Sequence, residues 1–148
     1  MKSHRIRAVL SLIALAGCLE VQAQGMSSSQ INYALHCQGC HLPDGSGTPD
    51  KVPALKGEVG RFLHVAGGRE FLVRVPGTSQ SALTDAEVAA VLNWILNTFS
   101  RAELPPDFMP YTTEEIARLR RPPLANVSAV REQLMAELAA AGAGAAFN

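Results

Sequence analysis

The sequence predicts a small all-α domain, and three observations carry that prediction. Two stretches open with the start signal of a capped helix, Thr84 with Glu87 and Thr112 with Glu115, in which a threonine hydroxyl and a glutamate three residues on satisfy orphan backbone N–H groups. Behind the first lies an apolar stripe at helical spacing: Val88, Val91, Leu92, Ile95 and Phe99, with Trp94 beside it. Between such stretches Gly and Pro recur, as in "LPDGSGTPDKVP", which cannot hold regular structure. A chain of 148 residues suits one compact domain.

Taken in order, residues 1–23 have the layout of a secretory signal peptide: basic "MKSHRIR", apolar "AVLSLIALAG", then small residues. The apolar run is too short for a spanning helix. Cleavage after Ala23 would release a soluble product; cleavage before Cys18, in "LAGC", would match the lipobox of bacterial lipoproteins and leave a lipid-anchored one. The first cut removes Lys2, Arg5, Arg7 and Glu20, leaving 10 basic against 12 acidic residues, a net charge of about −2. It leaves Cys37 and Cys40 as the remaining thiols.

"SSSQINYALHCQGCH" reads as a short helix capped by Ser28 or Ser29, with Ile31, Ala34 and Leu35 on one face. Residues 54–72 read as helical turns interrupted by glycines, and "REFLVRVPG" as a helix end or a strand, with helix the better fit. The capped helix at 84–99 comes next, then an extended loop, "RAELPPDFMP". Leu83 with Val88 and Tyr111 with Ile116 are placed as hydrophobic staples. Pro122 and Pro123 stop the helix begun at Thr112. A last helix starts near Asn126 or Ser128 and carries Val127, Val130, Leu134 and Leu138, before a tail expected to fray.

Composition narrows function. Lys plus Arg equals Asp plus Glu, 13 each, so the basic excess that nucleic-acid binding uses is lacking. Aromatic content is 5%, which builds a thin core that a large buried cofactor can complete. No Ser-His-Asp set or phosphate loop is evident.

The chemistry concentrates in Cys37-Gln38-Gly39-Cys40-His41, the C-x-x-C-H signature of c-type haem attachment. On a helical turn, residues i and i+3 share a face, so both thiols can meet the two vinyl groups of one porphyrin. His41, four residues after Cys37, points the same way and can reach the iron. A zinc site wants four ligands, with His36 and His64 the further candidates nearby. A redox disulfide of the thioredoxin kind wants a βαβ context.

"CQGCHLPDGSGTPDKVPALKG" resembles the haem-binding segment of class I bacterial c-type cytochromes, in which C-x-x-C-H is followed by a Gly-rich loop and a P-x-L-x-G turn; "LTDAEVAAVLNWI" resembles a helix of that family. The resemblance covers about residues 30–100 and extends toward 112. It implies a cytochrome c-like helical domain at 24–112 wrapped around one covalent haem c, followed by a helical extension at 113–148. It also implies that the Pro53 carbonyl accepts a hydrogen bond from His41.

Family members often place a Met-Pro pair before a helix like that at 84–99, as the distal iron ligand. Here that place reads Val75-Pro76. Among the mature methionines Met26, Met109 and Met135, Met109 in "DFMPY" is the leading distal candidate and His64 the substitute; Pro110 would hold the loop open for the thioether to turn inward. Arg61, Arg69 and Arg74 are candidates for pairing with a haem propionate. The implied role is a periplasmic single-haem carrier between redox proteins such as a dehydrogenase and a terminal oxidase or another cytochrome. It is not an enzyme and meets the membrane only if lipidated at Cys18. Two alternatives keep the haem: a subunit bound to an exported dehydrogenase, and a haem enzyme or gas sensor with an open distal site.

Overall fold

In a computed structural model, residues 25–142 are described; the signal-peptide segment with Cys18, and the last six residues of the tail, lie outside them. The all-α expectation holds among the described residues, where the one β-type pairing is an isolated bridge between Thr48 and Val52. No helix among them is long and apolar enough to cross a membrane.

Helix α1 (Ser28–His36) runs into α2 (Gln38–His41), which contains the end of the C-x-x-C-H motif. The cap of α1 is Ser27, one residue before the expected serines: the Ser27 hydroxyl accepts from the Gln30 N–H, and the Gln30 side chain reaches back to the Ser27 N–H. The face also differs from expectation. Ile31 and Leu35 are exposed and Tyr33 is buried, because its ring packs on Trp94 and Phe99, centroids 5.2 Å from each. Tilted ring-on-ring contacts with Trp94 and Phe99 are open to the aromatic and not to the two aliphatics.

The ambiguous middle resolves as helical: a 3₁₀ segment at Val59–His64, then α3 (Gly68–Arg74) and α4 (Pro76–Ser79). Helix α5 (Asp85–Phe99) is the centre of the molecule. It starts with the expected capping box of Thr84 and Glu87, and Val88, Val91, Leu92 and Ile95 are buried as the stripe requires. A 3₁₀ turn (Arg101–Glu103) opens the next loop.

Helix α6 (Thr113–Leu119) is capped by Thr112, whose hydroxyl accepts from the Glu115 N–H. The Glu115 side chain is diverted, binding the Arg69 guanidinium through both oxygens. Asn93 clamps this region to α5, donating to the Tyr111 carbonyl and accepting from the Tyr111 N–H. Helix α7 (Val127–Ala140) begins at an Asn126 cap. Ile116, Leu134 and Leu138 are buried in the same core as α1 and α5, so packing runs continuously across position 112.

Arg120, 6% exposed, fastens the end of α6 to the stretch between α4 and α5. It donates to the carbonyls of Ser79, Ser81 and Leu83 and to the Asp85 carboxylate. A buried guanidinium is tolerable only when its donors are satisfied, as here.

Candidate cofactor cleft

The motif folds as one helical turn. The N–H groups of Cys40 and His41 both donate to the Cys37 carbonyl, at 3.1 and 3.0 Å, so Cys37, Cys40 and His41 project to one side. Tyr33 fixes the end of this turn: its hydroxyl donates to the carbonyls of His41 at 2.8 Å and Leu42 at 2.5 Å. Burial pushes that hydroxyl's pKa up to about 12, so it stays a donor. Leu42 leaves the turn at φ 44°, a left-handed conformation that a leucine rarely adopts.

The chain then loops back. Gly45, at φ 76°, lies against the Phe99 ring, where a Cβ would stand 2.6 Å from the nearest ring atom. Its carbonyl accepts from the N–H groups of Leu55 and Lys56. This closure returns Pro53 to the His41 ring. The Pro53 carbonyl lies near enough to favour a protonated imidazole, but desolvation outweighs it and pushes the His41 pKa below the ordinary value. Burial thus favours the neutral ring, the form with a nitrogen lone pair to offer a metal.

These residues border a cleft of about 290 Å³, at the lower edge of the roughly 300–1,000 Å³ usual for cofactor sites. His41 and both thiols line it. So do Pro53 and Leu55 from the loop, Phe62 and Val59 from the 3₁₀ segment, Leu72 and Val75 from α3 and its end, and Ile95 from α5. The His41 Nδ1 is buried without a hydrogen-bond partner, so the Pro53 carbonyl stands close but short of bonding geometry. An imidazole and two free thiols lining one largely apolar cleft fit a porphyrin ligated by imidazole and held by two thioethers.

The rival chemistries fit less well. Desolvation, then the nearby Cys40, raises the Cys37 thiol to about 11, the reverse of the depressed pKa of a redox-active cysteine. Among the described residues no group of three His, Cys, Asp or Glu side chains is placed to hold a bare metal ion.

Other expected residues lie elsewhere. Met109 does not line the cleft: it is 72% exposed, and its carbonyl accepts from Arg69 at 2.7 Å. Pro110 thus opens the loop outward, because the Arg69–Glu115 pair holds its backbone against α3. His64 Nε2 lies 2.9 Å from the Glu103 carbonyl, also off the cleft. Arg61, Arg69 and Arg74 are paired with Glu58, Glu115 and Glu70 and do not line it. The cations that do are Lys51 and Arg131. Arg131 is legible in principle, since it falls between Val127 and Leu134 on one face of α7.

Over 132 aligned residues the chain is 34% identical to a cytochrome c-552 of Thermus thermophilus, covering 77% of this chain and 86% of that protein. Over 102 residues it is 36% identical to a second cytochrome c-552 of Thermus thermophilus, covering 57% of this chain and 78% of that one. No protein-family model matches the chain.

Proposed function

Since this chain belongs to the c-type cytochromes, electron-transfer proteins that carry covalent haem c, we propose that it is a single-haem carrier of the periplasm, anchored through Cys37 and Cys40 and ligated by His41. The observation that carries the residue assignment is the single helical turn that sets both thiols and a half-buried imidazole against one apolar cleft.

Bound haem supplies the ferric/ferrous couple. The chain's own residues do the rest. The Pro53 carbonyl, beside the His41 ring, would serve as the outer partner that orients it once the ring turns into bonding range. Phe62, Leu72 and Ile95 keep water from the cleft and lower its dielectric, which tunes the potential. Lys51 and Arg131 offer positive charge to propionates. Cys40 is exposed, and the exposed Leu35 and Leu42 flank the motif in sequence. An apolar edge of this kind suits a small, transient contact with a redox partner. In this reading the donors and acceptors are a periplasmic dehydrogenase and a terminal oxidase or other cytochrome, and Cys18 would add a membrane anchor if lipidated.

Expression with a haem-ligation apparatus tests this. The expected product has the polypeptide's mass plus one haem and cycles reversibly between oxidised and reduced spectra. Cys37→Ala with Cys40→Ala should leave no covalent haem. A colourless wild-type product at the bare polypeptide mass sinks the reading.

A further inference from the structure

We propose that this chain supplies no sixth ligand to the iron, so that the cleft is a binding site for a small uncharged diatomic ligand of the carbon monoxide or nitric oxide class. The inference rests on the haem attachment proposed above.

Among the described residues, the lining of the cleft contains no methionine. Its possible iron ligands beyond the motif are His36 and Lys51, both solvent-exposed residues. Most of the rest of the lining is hydrocarbon, and Thr78 contributes its one hydroxyl. Val75, in the place where the resemblance would put a thioether, presents a branched aliphatic to the cleft. Beside it, a Cβ built on Gly77 would meet nothing within 4 Å.

Hydrogen bonds tether both this wall and the Met109 loop. Arg120 ties the carbonyls of Ser79, Ser81 and Leu83 together, and the Ser79 hydroxyl donates to the Arg74 carbonyl. Met109 is held outside by Arg69, which is gripped by both Glu115 oxygens and stacks 4.1 Å above the Tyr111 ring. Met135 sits on α7 away from the cleft, and Met26 is exposed near the first described residue. With Lys51 and Arg131 given to the propionates, the hydrocarbon remainder of the lining disfavours a buried charge and leaves neutral ligands as the class admitted.

The test uses the full chain matured with haem. Mass and a pyridine haemochrome spectrum first establish the attachment; a product without haem overturns both readings. On the haem-bearing protein, carbon monoxide added after reduction is expected to shift the Soret band, and the oxidised protein should lack the weak red band of sulfur-to-iron ligation. Met109→Ala should leave both results unchanged. Val75→Met, which puts a thioether on the wall, should raise the apparent Kd for carbon monoxide about tenfold if it cuts the open fraction to about a tenth. A reduced wild-type spectrum unmoved by carbon monoxide overturns this inference alone. So does gain of carbon monoxide binding in His36→Ala, Lys51→Ala or His64→Ala over a non-binding parent, which would name the ligand.

Discussion

Tyr33 and Tyr111 anchor two segments in the same way, and the segments end up on opposite terms with the cleft. Both rings are buried, at 2% and 3% exposure, and both hydroxyls donate to distant backbone carbonyls: Tyr33 to His41 and Leu42, Tyr111 to Arg69. Around Tyr33 the chain continues into a helical turn that aims two thiols and an imidazole inward. Around Tyr111 the backbone is seized by Arg69 and Asn93, and Met109 faces solvent. An anchored tyrosine therefore fixes a backbone position, while the neighbouring residues on either side decide whether chemistry reaches the cofactor.

Truncating each anchor separates these roles and has the largest expected effect. Tyr33→Ala and Tyr111→Ala should each cost about 3–5 kcal/mol, as for other large buried aromatics, read by denaturant unfolding of the haem-bearing protein. Their haem spectra should differ: Tyr33→Ala shifts the Soret band because the His41 turn loosens, and Tyr111→Ala leaves it in place. Matching spectral shifts would break the comparison.

Next in size is the clamp on the Met109 loop. Arg69→Ala removes a bidentate ion pair and a bond to the Met109 carbonyl, but both side chains keep some exposure, 32% and 17%. We expect a loss of about 2 kcal/mol, between the surface and buried limits, with no gain of a sulfur-to-iron band. Asn93 still holds the Tyr111 backbone in that variant, so appearance of the band would show that Arg69 alone keeps Met109 from the iron. Smaller still are the hydroxyls. Tyr33→Phe and Tyr111→Phe should each cost about 1 kcal/mol, the former more because two carbonyls lose their donor, and thermal unfolding reads the difference.

The attachment turn and α5 are legible in the sequence because their signals are local. C-x-x-C-H spans five residues, and the Thr84–Glu87 box closes over three. The features that depart from expectation each turn on a distant partner. Glu115 is spaced to close its own helix start, yet Arg69, 46 residues away, offers a two-oxygen charged bond in place of one backbone N–H. That same arginine reverses the expected aim of Met109. Ile31 and Leu35 share a helical face on paper, but the aromatic pocket of Trp94 and Phe99 turns Tyr33 inward instead. Arg131 reaches the cleft from a helix expected to lie beyond the haem domain.

The smallest predicted effect is a pH dependence that belongs to the Tyr111 side. The Arg69 hydrogen bonds hold Glu115 below the ordinary glutamate value of 4.5. Below that value the unfolded chain takes up the proton first, so it binds more protons than the folded one and stability rises with pH. The Glu115 contribution is thus complete above about 4.5, and it falls away as pH drops through the lower folded value. Asp44, Glu87 and Glu114 are also depressed, by bonds to Ser46, to Thr84 and, for Glu114, chiefly to its own backbone N–H, and give wild type a slope of the same sign. Glu115→Gln removes one share of it. Melting temperatures measured from neutral pH down into the acid range should therefore converge for wild type and Glu115→Gln, since protonation erases the ion pair that the variant already lacks. A gap that persists unchanged into acid would mean that Arg69 does not depend on the Glu115 charge to hold the Met109 loop.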